Sequence, residues 1–335
     1  MCIHWCDEVD LLVQSTSIDD FPVAGAPTEP RVAAVVLNYR EVEDTKNCIV
    51  SLRECGYQNL KIILVDNASQ NGSVEELARA FPDLPLLIQP TNLGYAGGNN
   101  AGIRFALTMN VDYILISNDD VVVTKGFLEP MVGMMERDKG IGIVSPKVFY
   151  SSSPQEVFAA VGEFNSWFCT GMDKGRDEEA CRSTTLECDV DYVPGVLLLA
   201  RREVFETVGL FDERFFMYFE DVEFSRRVRT RYRMAYTARS VAFHKGGAGK
   251  GWRNYSELYL YYHTRNRIWA FRSEGWEYRL YVVLFTLSNA IAKAIIVSLN
   301  YFSDPRKTMR QWKAVCNGFL DGLGGGKKRN GTALY

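Results

Sequence analysis

Four apolar runs of strand length alternate with helix-like segments between residues 31 and 120, and this alternation constrains the fold more than any other feature. Stretches such as AAVVL, IILV and YILI are continuous, without the polar residues that interrupt a half-exposed strand. Continuous apolar runs are typical of parallel strands that are buried on both faces. The alternation therefore predicts an α/β fold with a mostly parallel sheet and helices on both of its faces.

Polar side chains follow each predicted strand at the point where the strand ends. They are Asn38 and Tyr39 after the first strand, Asp66 after the second, Asn92 after the third, and Asn118, Asp119 and Asp120 after the fourth. In open α/β sheets, ligands bind at the carboxyl ends of the strands. Polar residues at four consecutive strand ends therefore predict one binding site along this edge.

Charge and glycine spacing exclude several classes of ligand. The formal net charge is −3 and no arginine-rich block precedes the extreme tail, so we expect no nucleic-acid partner. The turn after the first strand, LNYREV, has no glycine and cannot be the GxGxxG turn of a dinucleotide site. The segment GGAGKG at 246–251 lacks the first glycine and the hydroxyl residue of a Walker loop.

Asp119 and Asp120 indicate a different kind of nucleotide site. Two adjacent carboxylates at a strand end are electrostatically unfavourable unless a positive charge lies beside them. Hard oxygen ligands suit Mg²⁺ or Mn²⁺, and such a cation can bridge a carboxylate to a diphosphate. It would also stabilise a departing nucleoside diphosphate as a Lewis acid. We therefore expect a divalent-cation cofactor at this strand end.

The eight cysteines are scattered without a repeated CxxC pair, and no signal peptide precedes them. Both features predict reduced thiols in a cytoplasmic protein. Cys2, His4 and Cys6 could bind a metal, but they stand alone, and a frayed terminus is the preferred interpretation.

Several ordered motifs resemble one known family. VVLNYRE, ILVDNASQNGS, NLGYAGGNNAGI and ILISNDDVVV are similar to the nucleotide-binding half of family-2 glycosyltransferases with the GT-A fold, and YVPGVLLLARREVF through FFMYFEDVEF to HKGG is similar to their acceptor half. The resemblance covers roughly residues 31–250 and is greatest to bacterial rhamnosyltransferases and related surface-polysaccharide and cell-wall enzymes. It implies an inverting transfer from a dTDP- or UDP-linked sugar, with dTDP-rhamnose as the leading donor, to a glycan or lipid-linked glycan.

The resemblance also assigns roles to the two acid pairs. Asp221 would be the base that deprotonates the acceptor hydroxyl, and Glu220 would support or orient it. Asp120 would contact the metal, although relatives often have Asn-Pro-Asp where this chain has Asn118-Asp119-Asp120, so the choice between Asp119 and Asp120 stays open. Helix capping by acids in a first turn is the structural alternative for Glu220 and Asp221.

The other assignments concern the donor. Asp66 would accept a hydrogen bond from the pyrimidine, in a pocket that Asn38 and Tyr39 line. Small residues before the third helix would let the ligand approach backbone N–H groups, with a plain loop-to-helix turn as the alternative. The residues of this segment are Asn92, Gly94, Gly97 and Gly98. Asn118 and Asp119 would also contact the donor.

Two basic residues have both a functional and a structural interpretation. His244 would reach the metal or the diphosphate, and Arg265 would contact the diphosphate or the acceptor. Both could instead be structural, His244 as an isolated histidine at a strand end and Arg265 on a helix rich in core aromatics.

The predicted domain division follows from these motifs. It consists of an irregular leader (1–30), a GT-A domain (31–250, divided into a nucleotide-binding half 31–120 and an acceptor half 121–250), a helical extension (251–322) and a flexible tail (323–335). Within the extension, residues 278–302 are strongly apolar, but Lys293 is costly in a membrane-spanning helix. With the basic residues that follow, this helix suits the inner face of a membrane, a homodimer interface or packing on the domain.

Three other classes of protein could share this fold. A processive polysaccharide synthase would need several membrane spans and a Gln-x-x-Arg-Trp motif, which the sequence lacks. A non-catalytic nucleotide-sugar-binding scaffold would not need Asp120 and Asp221 together. A UDP-sugar-dependent transferase with a different sugar stays open.

Overall fold

The computed structural model describes residues 29–173, 183–246 and 255–324. Almost all of the predicted leader and tail lies outside the described residues, as do Cys2, His4, Cys6 and nearly all of the segment 246–251. The domain boundaries proposed from the sequence therefore stay predictions.

A mixed sheet of ten strands forms the centre of the molecule, and a separate two-stranded hairpin lies beside it. In chain order the strands are β1 Val32–Asn38, β2 Leu60–Asp66, β3 Leu86–Ile88, β4 Tyr113–Asn118, β5 Val121–Val123, β6 Ile141–Tyr150, β7 Ser153–Ala159, β8 Gly162–Asn165, β9 Thr170–Asp173, β10 Glu187–Val190, β11 Leu197–Arg201 and β12 Arg233–His244. The sheet order is β10-β12-β6-β11-β4-β1-β2-β3, with β5 paired to β12 and β7 paired to β6, while β8 and β9 form the hairpin.

The strands β4, β1, β2 and β3 run parallel, as the alternation of apolar runs predicts. β11 enters this group antiparallel to β4. Its first residue, Leu197, is therefore opposite Ser117, at the same edge where β1, β2 and β4 end. This antiparallel strand brings the later part of the chain, the predicted acceptor half, to the polar edge formed by residues 31–120.

The helices cover both faces of the sheet and then extend the chain. In order they are α1 Val42–Glu54, α2 Ser73–Ala80, α3 Gly94–Thr108, α4 Leu128–Arg137, α5 Arg202–Thr207, α6 Glu220–Val228, α7 Glu257–Ala270, α8 Trp276–Ser298 and α9 Pro305–Leu323. Alternate residues of β1 point to opposite faces, so that Val32, Ala34 and Val36 pack with α1, α2 and α4 while Ala33 and Val35 pack with α3, α5 and α6. The predicted fold class, an α/β domain with a helical C-terminal extension, is confirmed.

Two of the last three helices, α7 and α9, begin at side-chain caps. The side chain of Ser256 accepts a hydrogen bond from the Tyr259 N–H (3.1 Å), and Asp304 accepts one from the Lys307 N–H (2.9 Å), with Pro305 at the first position of α9. α9 lies so close against α7 that a Cβ atom at Gly318 would be only 2.5 Å from the carbonyl oxygen of Tyr261. α7 is mostly buried, whereas one face of α8 is exposed.

Candidate active site

The floor of the polar edge is a hydrogen-bonded network between the ends of β1 and β2. Asn38 is opposite Asp66 in the parallel register, and both side chains are fully buried. The Asn38 amide donates to Asp66 Oδ2 (3.3 Å) and to Ser69 Oγ (3.1 Å), while its Oδ1 accepts from the Thr45 hydroxyl (2.9 Å). Asp66 Oδ1 accepts from the Ser69 N–H (3.0 Å). These contacts fix the orientation of Asp66, the side chain that we expect to meet the pyrimidine.

The glycines that were expected before the third helix lie inside α3, in its first turns, and their geometry differs from the one expected. Asn92 Oδ1 accepts from the Gly94 N–H (2.8 Å) and from the Asn67 amide (3.1 Å). Gly94 has φ +71°, and a Cβ atom there would be 2.3 Å from the Phe216 carbonyl oxygen. A Cβ atom at Gly97 would be 2.7 Å from Leu93 Cβ. Protein atoms therefore fill the space beside Gly94 and Gly97, and the small residues serve close packing rather than the approach of a ligand.

Asp119 and Asp120 form the turn between β4 and β5. Asp119 Oδ2 accepts a hydrogen bond from the backbone N–H of Tyr39 (3.3 Å), which joins this turn to the end of β1. Asp120 Oδ1 lies 3.0 Å from His244 Nε2. Burial, together with the negative charge of Asp120, raises the pKa of Asp119 to about 7. The ionised form of Asp119 is therefore poorly stabilised by the protein alone.

His244 is fixed beside Asp120 by strand pairing. It is the last residue of β12 and lies opposite Val121 of β5, the residue that follows Asp120. Its ring packs edge-on against Phe158, with the ring centroids 4.4 Å apart. Its Nδ1 is buried and has no hydrogen-bond partner among the described residues. The antiparallel β5–β12 pair therefore brings together Asp120 and His244, the two side chains that the sequence assigned to the metal.

The residues at this turn fit a divalent cation that is shared with a ligand. Within residues 29–173, 183–246 and 255–324, no three His, Cys, Asp or Glu side chains converge to hold a metal ion by themselves. The turn nevertheless offers carboxylate oxygens and an imidazole nitrogen, which are suitable donors for Mg²⁺ or Mn²⁺. A cation beside Asp119 would lower its raised pKa by stabilising the carboxylate. A diphosphate would have to supply further oxygen ligands.

Asp221 is held by three hydrogen-bond donors at the start of α6. Its Oδ2 accepts from the Tyr192 hydroxyl (2.6 Å) and from the Gly195 N–H (3.1 Å), and its Oδ1 accepts from the Val222 N–H (2.8 Å). Burial raises the pKa of Asp221, and the hydrogen bonds from Tyr192, Gly195 and Val222 oppose that rise because they stabilise the carboxylate. Asp221 is therefore aimed and able to hold a negative charge.

Glu220 is the opposite case, although it is adjacent in the chain. It is only 6% exposed, and its Oε2 has no hydrogen-bond partner among the described residues. Burial raises the pKa of Glu220 well above its usual value, and the charge of Asp221 adds to the effect. Of the two acids, Glu220 therefore holds its proton more tightly, and Asp221 is the one whose hydrogen bonds favour the negative charge. This arrangement suits Asp221 as a proton acceptor.

The chain enters α6 through a strained segment. Phe216, Tyr218 and Phe219 have φ values of +65°, +66° and +70°, in the left-handed region that non-glycine residues rarely occupy. Each such residue costs on the order of 1 kcal/mol or more and persists only where the surroundings enforce it. Strain of this kind is concentrated at functional sites, and here it immediately precedes Glu220 and Asp221.

Arg265 and Asn266 of α7 enforce this strained segment. The Asn266 amide donates to the carbonyl oxygens of Phe215 (2.8 Å), Met217 (2.8 Å) and Tyr218 (2.7 Å). Arg265 donates to the carbonyl oxygens of Arg214 (2.7 Å) and Phe215 (3.0 Å) and is 4% exposed. The expected contact of Arg265 with the diphosphate or the acceptor is therefore corrected, because its guanidinium is already engaged by the backbone and packed against aromatic rings.

Residues 195 and 196 connect the two acid pairs across the end of the sheet. The Gly195 N–H contacts Asp221, and the next residue, Val196, accepts a hydrogen bond from the Asn118 N–H (3.1 Å) through its carbonyl oxygen. The hydroxyl of Tyr95 donates to the Gly195 carbonyl oxygen. The turn before β11 therefore lies between the predicted cation turn and the predicted base.

Tyr192 and Tyr95 are functional candidates that were not identified from the sequence. Tyr192 begins the YVPG segment, and a tyrosine next to a turn gives no signal in the sequence that its hydroxyl contacts a carboxylate. Burial raises the pKa of both tyrosines well above the usual value, so both hydroxyls stay protonated and can donate.

A mixed sheet with an acidic turn at one edge, and a buried acid pair beside it, defines the class of GT-A glycosyltransferases. Solved structures agree with this fold. A crystal structure of GalNAc-T7 with UDP, GalNAc and Mn²⁺ is 14% identical with a TM-score of 0.58, covering 76% of this chain and 50% of that one. A mannosyltransferase from Pyrobaculum calidifontis in complex with GDP-Man and Mn²⁺ is 16% identical with a TM-score of 0.53, covering 90% and 89%.

The sequence family is narrower than the fold. The family model described as glycosyl transferase family 2 matches residues 33–208, which is more than half of the chain. This protein belongs to glycosyl transferase family 2, and the predicted class of enzyme is confirmed.

Curated relatives share about a quarter of their residues with this chain. The low-salt glycan biosynthesis hexosyltransferase Agl10 of Haloferax volcanii is 26% identical over 65% of this chain and 64% of that protein. The N-acetylglucosaminyl-diphospho-decaprenol L-rhamnosyltransferase of Mycobacterium tuberculosis is 26% identical over 72% of this chain and 85% of that protein. The dTDP-rhamnosyl transferase RfbF of Shigella flexneri is 24% identical over 58% and 62%. The matches to the first and third proteins thus span less than two thirds of their lengths.

Proposed function

We propose that this chain is an inverting glycosyltransferase that moves a sugar from a nucleoside diphosphate to a hydroxyl of a glycan or lipid-linked glycan. The observation that carries the proposal is the Asp221 carboxylate, which three donors orient and stabilise at the edge where β1, β2 and β4 end. dTDP-rhamnose is the leading donor, because two relatives from Mycobacterium and Shigella are named as rhamnosyltransferases.

Asp221 performs the proton transfer in this reaction. As the acceptor oxygen attacks the anomeric carbon, Asp221 takes the hydroxyl proton, and the bond from the anomeric carbon to the diphosphate oxygen breaks. The nucleoside diphosphate leaves with the bonding electrons, and attack from the opposite side inverts the anomeric configuration. The hydrogen bonds from Tyr192 and Gly195 stabilise the Asp221 carboxylate before it accepts the proton. The raised pKa of Glu220 disfavours a second negative charge beside it.

The residues near Asp119 and Asp120 bind the donor in this proposal. Asp120 and His244 would hold Mg²⁺ or Mn²⁺ together with Asp119, and this cation would neutralise charge on the leaving diphosphate. The solved mannosyltransferase and GalNAc-T7 both contain Mn²⁺, which supports the assignment. Asn38 and Asp66 offer the amide and carboxylate that recognise the base, and the backbone of Tyr39 joins the two parts of the pocket.

The setting that we propose is the cytoplasm, during assembly of a surface polysaccharide or cell-wall glycan. The cysteines of the described residues, Cys48, Cys55, Cys169, Cys188 and Cys316, are all free thiols, as expected in a reducing compartment.

A donor screen tests the proposed function. The purified chain is incubated with dTDP-rhamnose and with UDP-sugars, with Mn²⁺ or with EDTA, and release of the nucleoside diphosphate is measured with and without a diphosphate-linked glycan acceptor. The expected result is metal-dependent release with dTDP-rhamnose and a product of inverted anomeric configuration by NMR. Turnover with a UDP-sugar alone would support the alternative donor, and tight donor binding without turnover for any acceptor would support a non-catalytic scaffold.

A further inference from the structure

The outer face of α8 is an apolar stripe that the rest of the described chain leaves uncovered. Its exposed residues recur at spacings of three and four, which places them on one side of a helix about 35 Å long. They are Trp276, Leu280, Leu284, Leu287, Ile291 and Ile295, with exposed fractions between 39% and 72%. Glu277 is the only acidic residue within α8. An apolar surface of this length on a protein normally marks an interaction site.

The stripe widens on both sides into further exposed apolar residues. On one side, Trp167 and Phe168 in the β8–β9 hairpin are 74% and 51% exposed, and the Trp167 carbonyl oxygen accepts a hydrogen bond from the Tyr281 hydroxyl (2.7 Å). On the other side, Leu323 at the end of α9 shares a cavity with α8. Trp167 and Trp276, the most exposed tryptophans among the described residues, thus belong to the same surface. Tryptophan is the residue that favours the boundary between hydrocarbon and water.

That cavity has a volume of about 680 Å³ and combines apolar walls with two guanidinium groups. Trp276 and Leu280 form part of its apolar lining, and Arg272 and Arg279 add positive charge. Arg272 donates to the Gly322 carbonyl oxygen (2.9 Å), while Arg279 has no carboxylate partner among the described residues. An apolar wall next to such cations suits a lipid phosphate group with its acyl chain beside it.

Charge decides between a lipid surface and a second copy of the chain. Residues 272–324 contain seven Lys and Arg and four Asp and Glu, although the whole chain has a net charge of −3. Bases lie at both ends of α8, with Arg272 and Arg279 at one end and Arg306 and Lys313 beyond the other. Packing α8 on its own copy, parallel or antiparallel, would place bases opposite bases. An anionic surface complements both ends at once.

α8 is long and apolar enough to span a membrane, but its inner face makes contacts within the protein. Lys293 Nζ lies 3.0 Å from His263 Nδ1 of α7, and the Trp312 indole of α9 donates to the Ala294 carbonyl oxygen (3.2 Å). Val282 belongs to the same buried cluster as Phe219, the residue before the acid pair of α6. These contacts would break if α8 crossed a bilayer. They therefore favour an orientation in which α8 lies along the bilayer surface.

We propose that the stripe on α8, with Trp167 and the Arg272–Arg279 cavity, docks the protein flat on an anionic lipid bilayer. The buried cluster that contains Val282, Cys169 and Phe219 then holds the Asp221 region at a fixed position relative to the lipid surface. A glycan carried by a lipid would meet the base without being extracted far from the membrane. This last consequence depends on the proposed function, whereas the docking itself does not.

Co-sedimentation with lipid vesicles tests the docking without donor or acceptor. We expect binding to vesicles of equal parts phosphatidylglycerol and phosphatidylcholine, reduced but retained at high salt, and weaker binding to pure phosphatidylcholine. Leu284→Asp and Ile291→Asp should each weaken binding by about tenfold or more, because each replaces an aliphatic side chain that the bilayer would bury with a charged one. Arg279→Gln should weaken it by about fivefold at low salt only. Val50→Asp, which alters an exposed aliphatic residue of α1, is the matched control and should bind like the unmodified chain.

Other outcomes would overturn the proposal. Failure of the full chain to bind anionic vesicles would do so, as would unchanged binding by Leu284→Asp and Ile291→Asp. A dimer in analytical ultracentrifugation that Leu284→Asp converts to monomer, without vesicle binding by the full chain, would make α8 a dimer interface. Resistance of bound protein to extraction by alkaline carbonate would make α8 a spanning helix. Because no sugar is present, these results are independent of the proposed transferase activity.

Discussion

Asp119 and Asp120 form one pair of adjacent acids, and Glu220 and Asp221 form another, but the two pairs balance their charge differently. The first pair is in a turn between two strands, where Asp119 has a pKa raised to about 7 and one backbone donor. The second pair begins a helix, where three donors stabilise Asp221 and burial raises the pKa of Glu220 well above its usual value. We propose that a bound cation balances the first pair, whereas hydrogen bonds within the protein support the second.

This difference separates the two tasks of a sugar transfer. A diphosphate brings negative charge to a site, so the groups that bind it must leave room for a shared cation. A general base must instead be ionised, aimed and ready to accept a proton before any ligand arrives. Adjacent acids in a sequence do not reveal which task they serve, because the donors that distinguish them come from distant segments.

Asp221→Asn should have the largest effect of any single change in the two pairs. The amide keeps the size of the side chain but cannot accept the proton, so we expect turnover to fall by about two to four orders of magnitude with donor affinity unchanged. Steady-state kinetics together with calorimetric titration of the nucleoside diphosphate measures both quantities. Near-normal turnover of Asp221→Asn combined with an inactive Glu220→Gln would exchange the roles of the two acids.

Asp120→Ala should reduce turnover by about a hundredfold or more, but through the donor rather than through the proton. A cation that bridges to a diphosphate is worth several kcal/mol of charge stabilisation. Calorimetry with the nucleoside diphosphate and Mn²⁺ should show that metal-dependent binding is lost in Asp120→Ala. Asp119→Ala serves as the comparison: if it alone abolishes the metal dependence, Asp119 is the ligand and the assignment of Asp120 is wrong.

Much of the donor edge could be predicted from the sequence, because it depends on where strands end. Asn38, Asp66 and Asn118 close three adjacent parallel strands, and the register places Asn38 opposite Asp66 and Asn118 opposite Leu37. The pairing of β5 with β12, which brings His244 to Asp120, joins residues far apart in the chain, and no local pattern predicts it. Only the family resemblance indicated that His244 would reach the metal or the diphosphate.

The rest of the site depends on tertiary contacts that local patterns do not encode. Gly94 suggests a ligand-binding loop, but its missing side chain makes room for Phe216. Arg265 suggests an anion contact, yet its donors are used by the backbone before α6. Tyr192 gives no sequence signal, because only the folded chain places its hydroxyl on Asp221.

Tyr192→Phe tests whether Asp221 depends on its own hydrogen bonds, and its effect should be intermediate. Removing a hydrogen bond to a charged group should lower kcat by about tenfold. Because the Tyr192 hydroxyl lowers the pKa of Asp221, the acidic limb of the pH profile of kcat/KM should move to higher pH in the variant. Tyr57→Phe is the matched control. Tyr57 is buried, and its hydroxyl donates to the carbonyl oxygen of Pro30 (2.7 Å) instead of to Asp221. An unmoved acidic limb would show that Tyr192 only supports the structure.

Glu220→Gln should have the smallest effect on the reaction and a measurable one on stability. The pKa of Glu220 is raised in the folded chain, so the folded state binds more protons than the unfolded state above about pH 4.5. The free energy of unfolding therefore falls as pH rises toward the folded pKa, by at most about 1.4 kcal/mol per pH unit for this group. Urea unfolding between about pH 5 and about pH 8 should show a steeper loss for the unmodified chain than for Glu220→Gln. Glu203→Gln, in the first turn of α5 but exposed, should keep the original slope. If Glu220→Gln kept the slope as well, Glu220 would be ionised in the folded protein, and the second acid pair would need an outside cation just as the first does.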